Sequence, residues 1–83
     1  MAEKEQRGLT VPYLEAWRKY FALTQRELAE KAQVGRSSVI RAEAGESISY
    51  TNVRNLAAAL GISVPQLLHE QPNHQKINDE DSQ

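Results

Sequence analysis

Apolar residues recur along the middle of the chain with the spacing of amphipathic helices, in which positions i, i+3, i+4 and i+7 share one face. Three groups follow this spacing: Leu14, Trp17 and Phe21; Leu28, Ala29 and Ala32; and Val53, Leu56, Ala57 and Leu60. The sequence has no comparable alternation of apolar and polar residues and no Asn-Gly or Asp-Gly hairpin turn, the patterns that indicate strands. The pattern predicts an all-α fold with a core built from these apolar stripes.

Helix start and stop signals divide this pattern into segments. Thr24 and Glu27 stand three residues apart, as in a capping box, where each side chain bonds the backbone amide of the other residue. Further signals are two N-cap serines and two helix-ending glycines: Ser49, Ser63, Gly45 and Gly61. We therefore predict a compact bundle of about five short helices, at about residues 11–21, 24–32, 36–44, 50–60 and 64–69.

The two ends of the chain differ in composition from its middle. The first eight residues are mostly charged or polar, and the last thirteen, QPNHQKINDEDSQ, contain one large aliphatic residue, Ile77. Such segments cannot bury enough apolar surface to order themselves. We expect a flexible N-terminus at 1–8, one folded domain at 9–70 and a flexible acidic tail at 71–83. The chain has no cysteine, so the domain must rely on ordinary packing.

Charge is unevenly distributed, although the net charge of the 83 residues is only −1. Residues 7–54 carry eight Lys or Arg and five Asp or Glu, whereas residues 55–83 carry a net charge of −3. A mildly basic middle permits binding to nucleic acid without establishing it. No signal peptide and no apolar run of about 20 residues is present, so we expect a cytoplasmic protein that makes no membrane contact.

The sequence offers no constellation for catalysis or for metal binding. His69 and His74 lack the carboxylates that would complete a metal site, and Ser37 has no histidine base with an orienting carboxylate. Glu27 and Glu30 are interpreted as a cap and a solvated side chain rather than an acid/base pair. We therefore expect no enzyme activity, no cofactor and no metal.

The segment from Thr24 to Gly45 predicts a helix-turn-helix. Two short helices are joined by only three residues, Gln33 to Gly35, so the helices must cross steeply. Ala29 is small enough for a close crossing, and apolar side chains at Val34 and Val39 can lock the corner. This geometry leaves the N-terminal end of the second helix projecting into solvent, as in motifs that enter the DNA major groove.

Two stretches of the sequence resemble the helix-turn-helix domain of the Cro and phage-repressor class, called XRE-like. They are LTQRELAEKAQVGRSSVIRAEAGE and VRNLAAALGISVPQLL. The resemblance covers about Leu14 to Leu68, nearly the whole predicted domain. It implies a bacterial or phage-type transcription regulator, usually a repressor, that binds double-stranded DNA in a sequence-specific manner. Because one such domain buries little surface, we expect a homodimer on a palindromic operator.

The resemblance also implies a role for individual residues. The expected contacts to base edges come from Arg36, Ser37, Ile40 and Arg41. The expected contacts to backbone phosphates come from Gln25, Arg26, Ser38, Ser47, Ser49, Thr51 and Asn52. Arg18 and Glu43 correspond to a structural ion pair between helices. The alternative for the arginines at 26, 36 and 41 is that they are merely solvated surface charges.

Three positions depart from the usual pattern of this family. Gly35 replaces a Ser or Thr cap, and Gln33 replaces a glycine in the turn, which costs strain if the position needs a positive φ. The loop after Gly45 is one residue shorter than usual, and residues 46–48, Glu-Ser-Ile, replace the common basic residues. This replacement predicts modest DNA affinity at physiological salt.

Two questions about partners stay open at the level of sequence. Val64, Leu67 and Leu68 are the best candidates for a dimer interface, but they can equally complete the core of the monomer. The chain can also be an antitoxin-like interaction module whose acidic tail binds another protein, with autoregulatory DNA binding. A third hypothesis is a structural domain of a larger assembly, which predicts no salt-dependent DNA affinity.

Overall fold

A computed structural model describes residues 8–72. Five helices, joined by short turns, follow one another in this range: α1 Leu14–Tyr20, α2 Gln25–Ala32, α3 Arg36–Glu43, α4 Tyr50–Leu60 and α5 Val64–His69. The predicted all-α fold is confirmed. Apart from Gly8, Gln71 and Pro72, the segments expected to be flexible lie outside the described residues, as does His74.

Three of the five helices begin at the predicted N-cap. The Thr24 hydroxyl accepts a hydrogen bond from the Glu27 amide at 3.0 Å, and the Glu27 carboxylate accepts one from the Thr24 amide at 2.8 Å. Ser63 forms the same capping box with Gln66 in front of α5. The Ser49 hydroxyl accepts a bond from the backbone amide three residues later, at the start of α4. These bonds satisfy amides that have no partner inside the helix.

The first helix is shorter than predicted, spanning Leu14–Tyr20 instead of about 11–21. It starts without a side-chain cap, and Val11 is instead buried in a preceding turn that the bond from the Leu14 amide to the Val11 carbonyl closes at 3.2 Å. Beyond Tyr20 the backbone turns at Ala22, whose φ is +59°. Phe21, just before this turn, stacks on Trp17 but is 43% exposed, contrary to its expected place in the core.

One apolar core joins all five helices. α2 packs against α3 and α4, α1 packs against α3 and α5, and α4 packs against α5. The buried residues are Val11, Leu14, Trp17, Leu28, Ala29, Ala32, Val39, Ala42, Ile48, Val53, Leu56, Ala57, Leu60 and Leu67. The indole Nε1 of Trp17 also donates to the Glu70 carbonyl at 2.9 Å, which ties α1 to the chain after α5.

The last helix contributes to this core rather than standing apart from it. Leu67 is fully buried within the monomer, and Val64 and Leu68 are partly buried against the same cluster. Of the two alternatives for these residues, burial of Leu67 favours completion of the monomer core. No helix among residues 8–72 has the length and apolar character needed to cross a bilayer.

A short backbone pairing closes the fold beside α3. Leu9 and Ile48 form an antiparallel bridge, with N···O distances of 2.8 and 2.9 Å between their amides and carbonyls. Gly8 lies so close to the Ile48 carbonyl that a Cβ atom there would clash, and its φ is +85°. The bridge holds the loop after α3 against the beginning of the domain, and helical periodicity gave no sign of it.

Candidate nucleic-acid interface

The turn between α2 and α3 sets the direction of the second helix. Gln33 adopts the left-handed conformation, with φ +61° and ψ +41°, and the Val34 amide then donates to the Ala29 carbonyl at 3.1 Å. Leu28 and Val39 are fully buried across the corner. The corner is packed as expected, and the strain predicted for a non-glycine residue at position 33 is present.

The four candidates for base contact share one exposed face of α3. All four are exposed: Arg36, Ser37, Ile40 and Arg41. Their spacing of i, i+1, i+4 and i+5 places them on one side of a helix. Val39 and Ala42, on the opposite side, are buried in the core. We call these four residues the recognition face; Ile40 is its apolar member and is 43% exposed.

The two arginines of the recognition face differ in their surroundings. Within residues 8–72, the Arg36 side chain has no hydrogen bond or ion pair. Arg41, in contrast, lies against Glu46 in the following loop, with 3.2 Å between Nε and Oε1. In the sequence, Glu46 is apparent only as the replacement of a basic residue, and no pattern indicates this contact.

The candidates for phosphate contact lie at the ends of α2 and α4 and on α3. Gln25 and Arg26 form the first turn of α2, and the Arg26 Nε is 3.4 Å from the Glu30 carboxylate on the same helix. Ser47 lies in the loop before α4, Ser49 caps this helix, and Thr51 and Asn52 belong to its first turn. The Asn52 Nδ2 donates to the Ser38 hydroxyl at 3.3 Å, which links α4 to α3.

A cluster centred on Glu43 joins α1, α2 and α3. The Glu43 carboxylate accepts bonds from Arg18 Nε at 2.6 Å, from Arg18 Nη2 at 3.0 Å and from Gln25 Nε2 at 3.0 Å. The Arg18 and Glu43 side chains are only 12% and 7% exposed, and the hydrogen bond to Glu43 raises the pKa of Arg18. Arg18 also donates to the Leu23 carbonyl at 2.8 Å.

This cluster pairs Arg18 with Glu43 and adds the bond from Gln25, which no sequence pattern indicates. Gln25 uses one hydrogen of its amide group for Glu43, so its second hydrogen is left to donate elsewhere. The candidate phosphate contact at the start of α2 is thereby oriented by the end of α3. Among residues 8–72, no group of three His, Cys, Asp or Glu side chains is arranged to hold a metal ion.

Comparison with known proteins agrees with this geometry. A family model described as helix-turn-helix, HTH_3, matches residues 14–67. A chain of the solved SinR protein/SinI protein complex is similar to this one, with a TM-score of 0.64 and 27% sequence identity, over 83% of this chain and 73% of that chain. No curated protein matches the sequence at a significant level. Since the family model spans more than half of the chain, the protein belongs to the Cro/C1-type, XRE-like helix-turn-helix family of DNA-binding transcription regulators.

Proposed function

We propose that this regulator recognises a specific sequence of double-stranded DNA by placing α3 in the major groove. The observation that carries the proposal is the recognition face, which presents two arginines, a serine and an isoleucine to solvent while the other side of α3 is anchored in the core. A rigid, exposed helix with such side chains can approach base edges without rearrangement of the domain. The family is one of DNA-binding regulators and not of enzymes.

The chemistry of the recognition face supports direct contact with bases. An arginine fork can bond guanine O6 and N7 together, and each good pair of this kind discriminates against the wrong base by about 1–3 kcal/mol. Arg36, at the N-terminal end of α3, and Arg41 take this role. Ile40 contacts a thymine methyl group, and the Ser37 hydroxyl either donates to or accepts from a base.

The phosphate contacts fix the position of the domain on the duplex. Gln25 stands at the N-terminus of α2, where backbone amides and the helix dipole favour an anion. Arg26 supplies a positive charge. Further hydroxyl and amide donors come from Ser38, Ser47, Ser49, Thr51 and Asn52. Because most of these donors are neutral and Glu46 is acidic, the affinity for DNA is modest at physiological salt.

The proposed assembly is a homodimer on a palindromic operator. Two copies place two recognition helices in half-sites about one helical turn, or ~34 Å, apart, which supplies the affinity that one small domain lacks. Occupation of such an operator in the cytoplasm represses the adjacent gene. The polar recognition face supports the DNA contact, whereas the dimer follows from the small surface that a single domain can bury.

A second candidate function is regulation through another protein, as in antitoxin-like modules. Two observations favour it: Tyr20 and Phe21 are 41% and 43% exposed beside Trp17, and the solved structure similar to this chain contains two different proteins. The acidic tail that was expected to bind such a partner lies outside the described residues. A Phe21→Ser substitution that abolishes capture of a partner but leaves DNA binding unchanged would support this function.

Selection from random duplex DNA, with the affinity of the enriched sequence measured against salt, tests the main proposal. A palindromic sequence bound far more tightly than random DNA is expected. Arg36→Ala should then weaken binding to this sequence by about 1–3 kcal/mol and relax the preference at one base pair, because it removes a base contact. Gln25→Ala, the matched control, should weaken binding to all sequences about equally. If Arg36→Ala changes neither affinity nor preference, α3 does not recognise bases as proposed.

A further inference from the structure

The C-terminal end of α3 places Glu46 beside Arg41 through the backbone. The Gly45 amide donates to the Ala42 carbonyl at 3.1 Å, and the Glu46 amide donates to the Arg41 carbonyl at 3.0 Å. These two bonds, with a φ of +98° at Gly45, form a Schellman motif. In this motif, two apolar side chains usually contact each other beside the bond that spans six residues, here the bond from Glu46 to Arg41. Here the ion pair of Arg41 and Glu46 occupies that place.

The ion pair leaves the outer edge of the Arg41 guanidinium free. The Glu46 carboxylate lies 3.2 Å from Nε, and the two side chains are 55% and 60% exposed. Within residues 8–72, the two terminal nitrogens of Arg41 have no hydrogen bond. These nitrogens form the fork that bonds guanine O6 and N7. Glu46 therefore restrains the orientation of the fork without occupying its donors.

The charge of Glu46 affects the two kinds of DNA contact differently. A backbone phosphate attracts Arg41 mainly through charge, which the neighbouring carboxylate offsets. A guanine edge attracts it through two directed hydrogen bonds, which a restrained fork makes at a lower entropic cost. Phosphates are present in every sequence, whereas the guanine edge is present only in the correct one.

We propose that Glu46 is a specificity-determining residue that acts by positioning Arg41: it holds the arginine fork for a base edge and disfavours its pairing with phosphate. The proposal rests on the DNA-binding function proposed above and concerns the same site. It gives the acidic residue in the loop after α3 a role in discrimination between sequences, at some cost in total affinity.

Glu46→Gln in the full chain tests this role, because it removes the charge and keeps the size of the side chain. The affinities of the wild type and the variant are measured on the duplex selected by the wild type, on its single-base-pair substitutions and on random duplex. The variant should bind random duplex several-fold more tightly and lose about fivefold or more of its preference at one base pair. The slope of log K against log salt should steepen by about 0.9, as for one additional phosphate contact.

Two controls separate positioning from simple repulsion. Glu15→Gln makes the same charge change in another exposed ion pair, with Lys19 on α1 at 2.9 Å, and should leave the preference unchanged. In an Arg41→Ala background, Glu46→Gln should no longer alter the preference. A uniform gain of affinity on all duplexes would overturn the role of Glu46 and leave the DNA-binding function standing. Absence of any duplex enriched by the wild type would overturn both.

Discussion

Single residues carry the backbone strain of this domain. Gln33 and Ala22 adopt left-handed conformations, with φ of +61° and +59°, which are unfavourable for a residue with a Cβ atom. Gln33 nevertheless ends α2 at the point where the chain must turn sharply into α3. The turn of the helix-turn-helix therefore lowers the stability of this protein, because a glycine at position 33 would adopt the same conformation without strain.

Gln33→Gly should stabilise the domain. Glycine removes a left-handed penalty of about 1–2 kcal/mol but loses more entropy on folding, so the net gain is about 0.5–1 kcal/mol. For a domain of this size, the midpoint of thermal unfolding should rise by several degrees. Gln33→Ala keeps the Cβ atom and is the control, with no expected gain. A lower midpoint for Gln33→Gly than for the wild type would show that the glutamine side chain stabilises the turn.

The elements show which features a sequence alone can predict. The starts of α2, α4 and α5 were predicted because capping bonds join residues three apart, such as Thr24 and Glu27. The start of α1 was not predicted, because the position of Val11 depends on its burial in the core and no local sequence signal marks it. At the proposed site, the candidate residues of α3 were expected from the resemblance to the family, whereas the bond between Gln25 and Glu43 depends on how separate helices pack.

The start of α3 can be strengthened. Gly35 caps α3 with φ −66° and ψ +142°, which any residue adopts, and an added Cβ would meet only the Ser37 hydroxyl at 3.8 Å and the Ser38 hydroxyl at 4.0 Å. Gly35→Ser should raise the free energy of unfolding by about 0.5–1 kcal/mol, because it reduces the entropy of the unfolded chain and adds a cap. Denaturation by urea measures this gain.

The matched control for this prediction is the glycine that ends α4. Gly61 has a φ of +74°, so Gly61→Ala should lower the free energy of unfolding by about 1 kcal/mol, although open space surrounds the added methyl group. The two substitutions should therefore have opposite signs. If Gly35→Ser also destabilises the protein, the start of α3 depends on the absence of a side chain, for a reason beyond backbone conformation.

At the scale of the whole molecule, contacts between distant parts of the chain complete the fold. The bridge between Leu9 and Ile48 and the bond from Trp17 to Glu70 join residues far apart in sequence, so no local pattern indicated them. The bridge attaches the first described segment to the loop after α3, and the Trp17 bond attaches the last described segment to α1. Leu67 also helps to hold the last segment in place, since it is fully buried against the other helices.

Leu67→Ala distinguishes a core residue from an interface residue. Truncation of a fully buried leucine should cost about 2–5 kcal/mol, and the loss should be the same at every protein concentration because the cavity forms within one monomer. Thermal unfolding over a hundredfold range of concentration measures this, with the partly buried Val64→Ala as a milder comparison. A wild-type midpoint that rises with concentration, and a Leu67→Ala variant that loses this rise, would instead assign Leu67 to a dimer interface. The proposed homodimer would then use α5 rather than another surface of the domain.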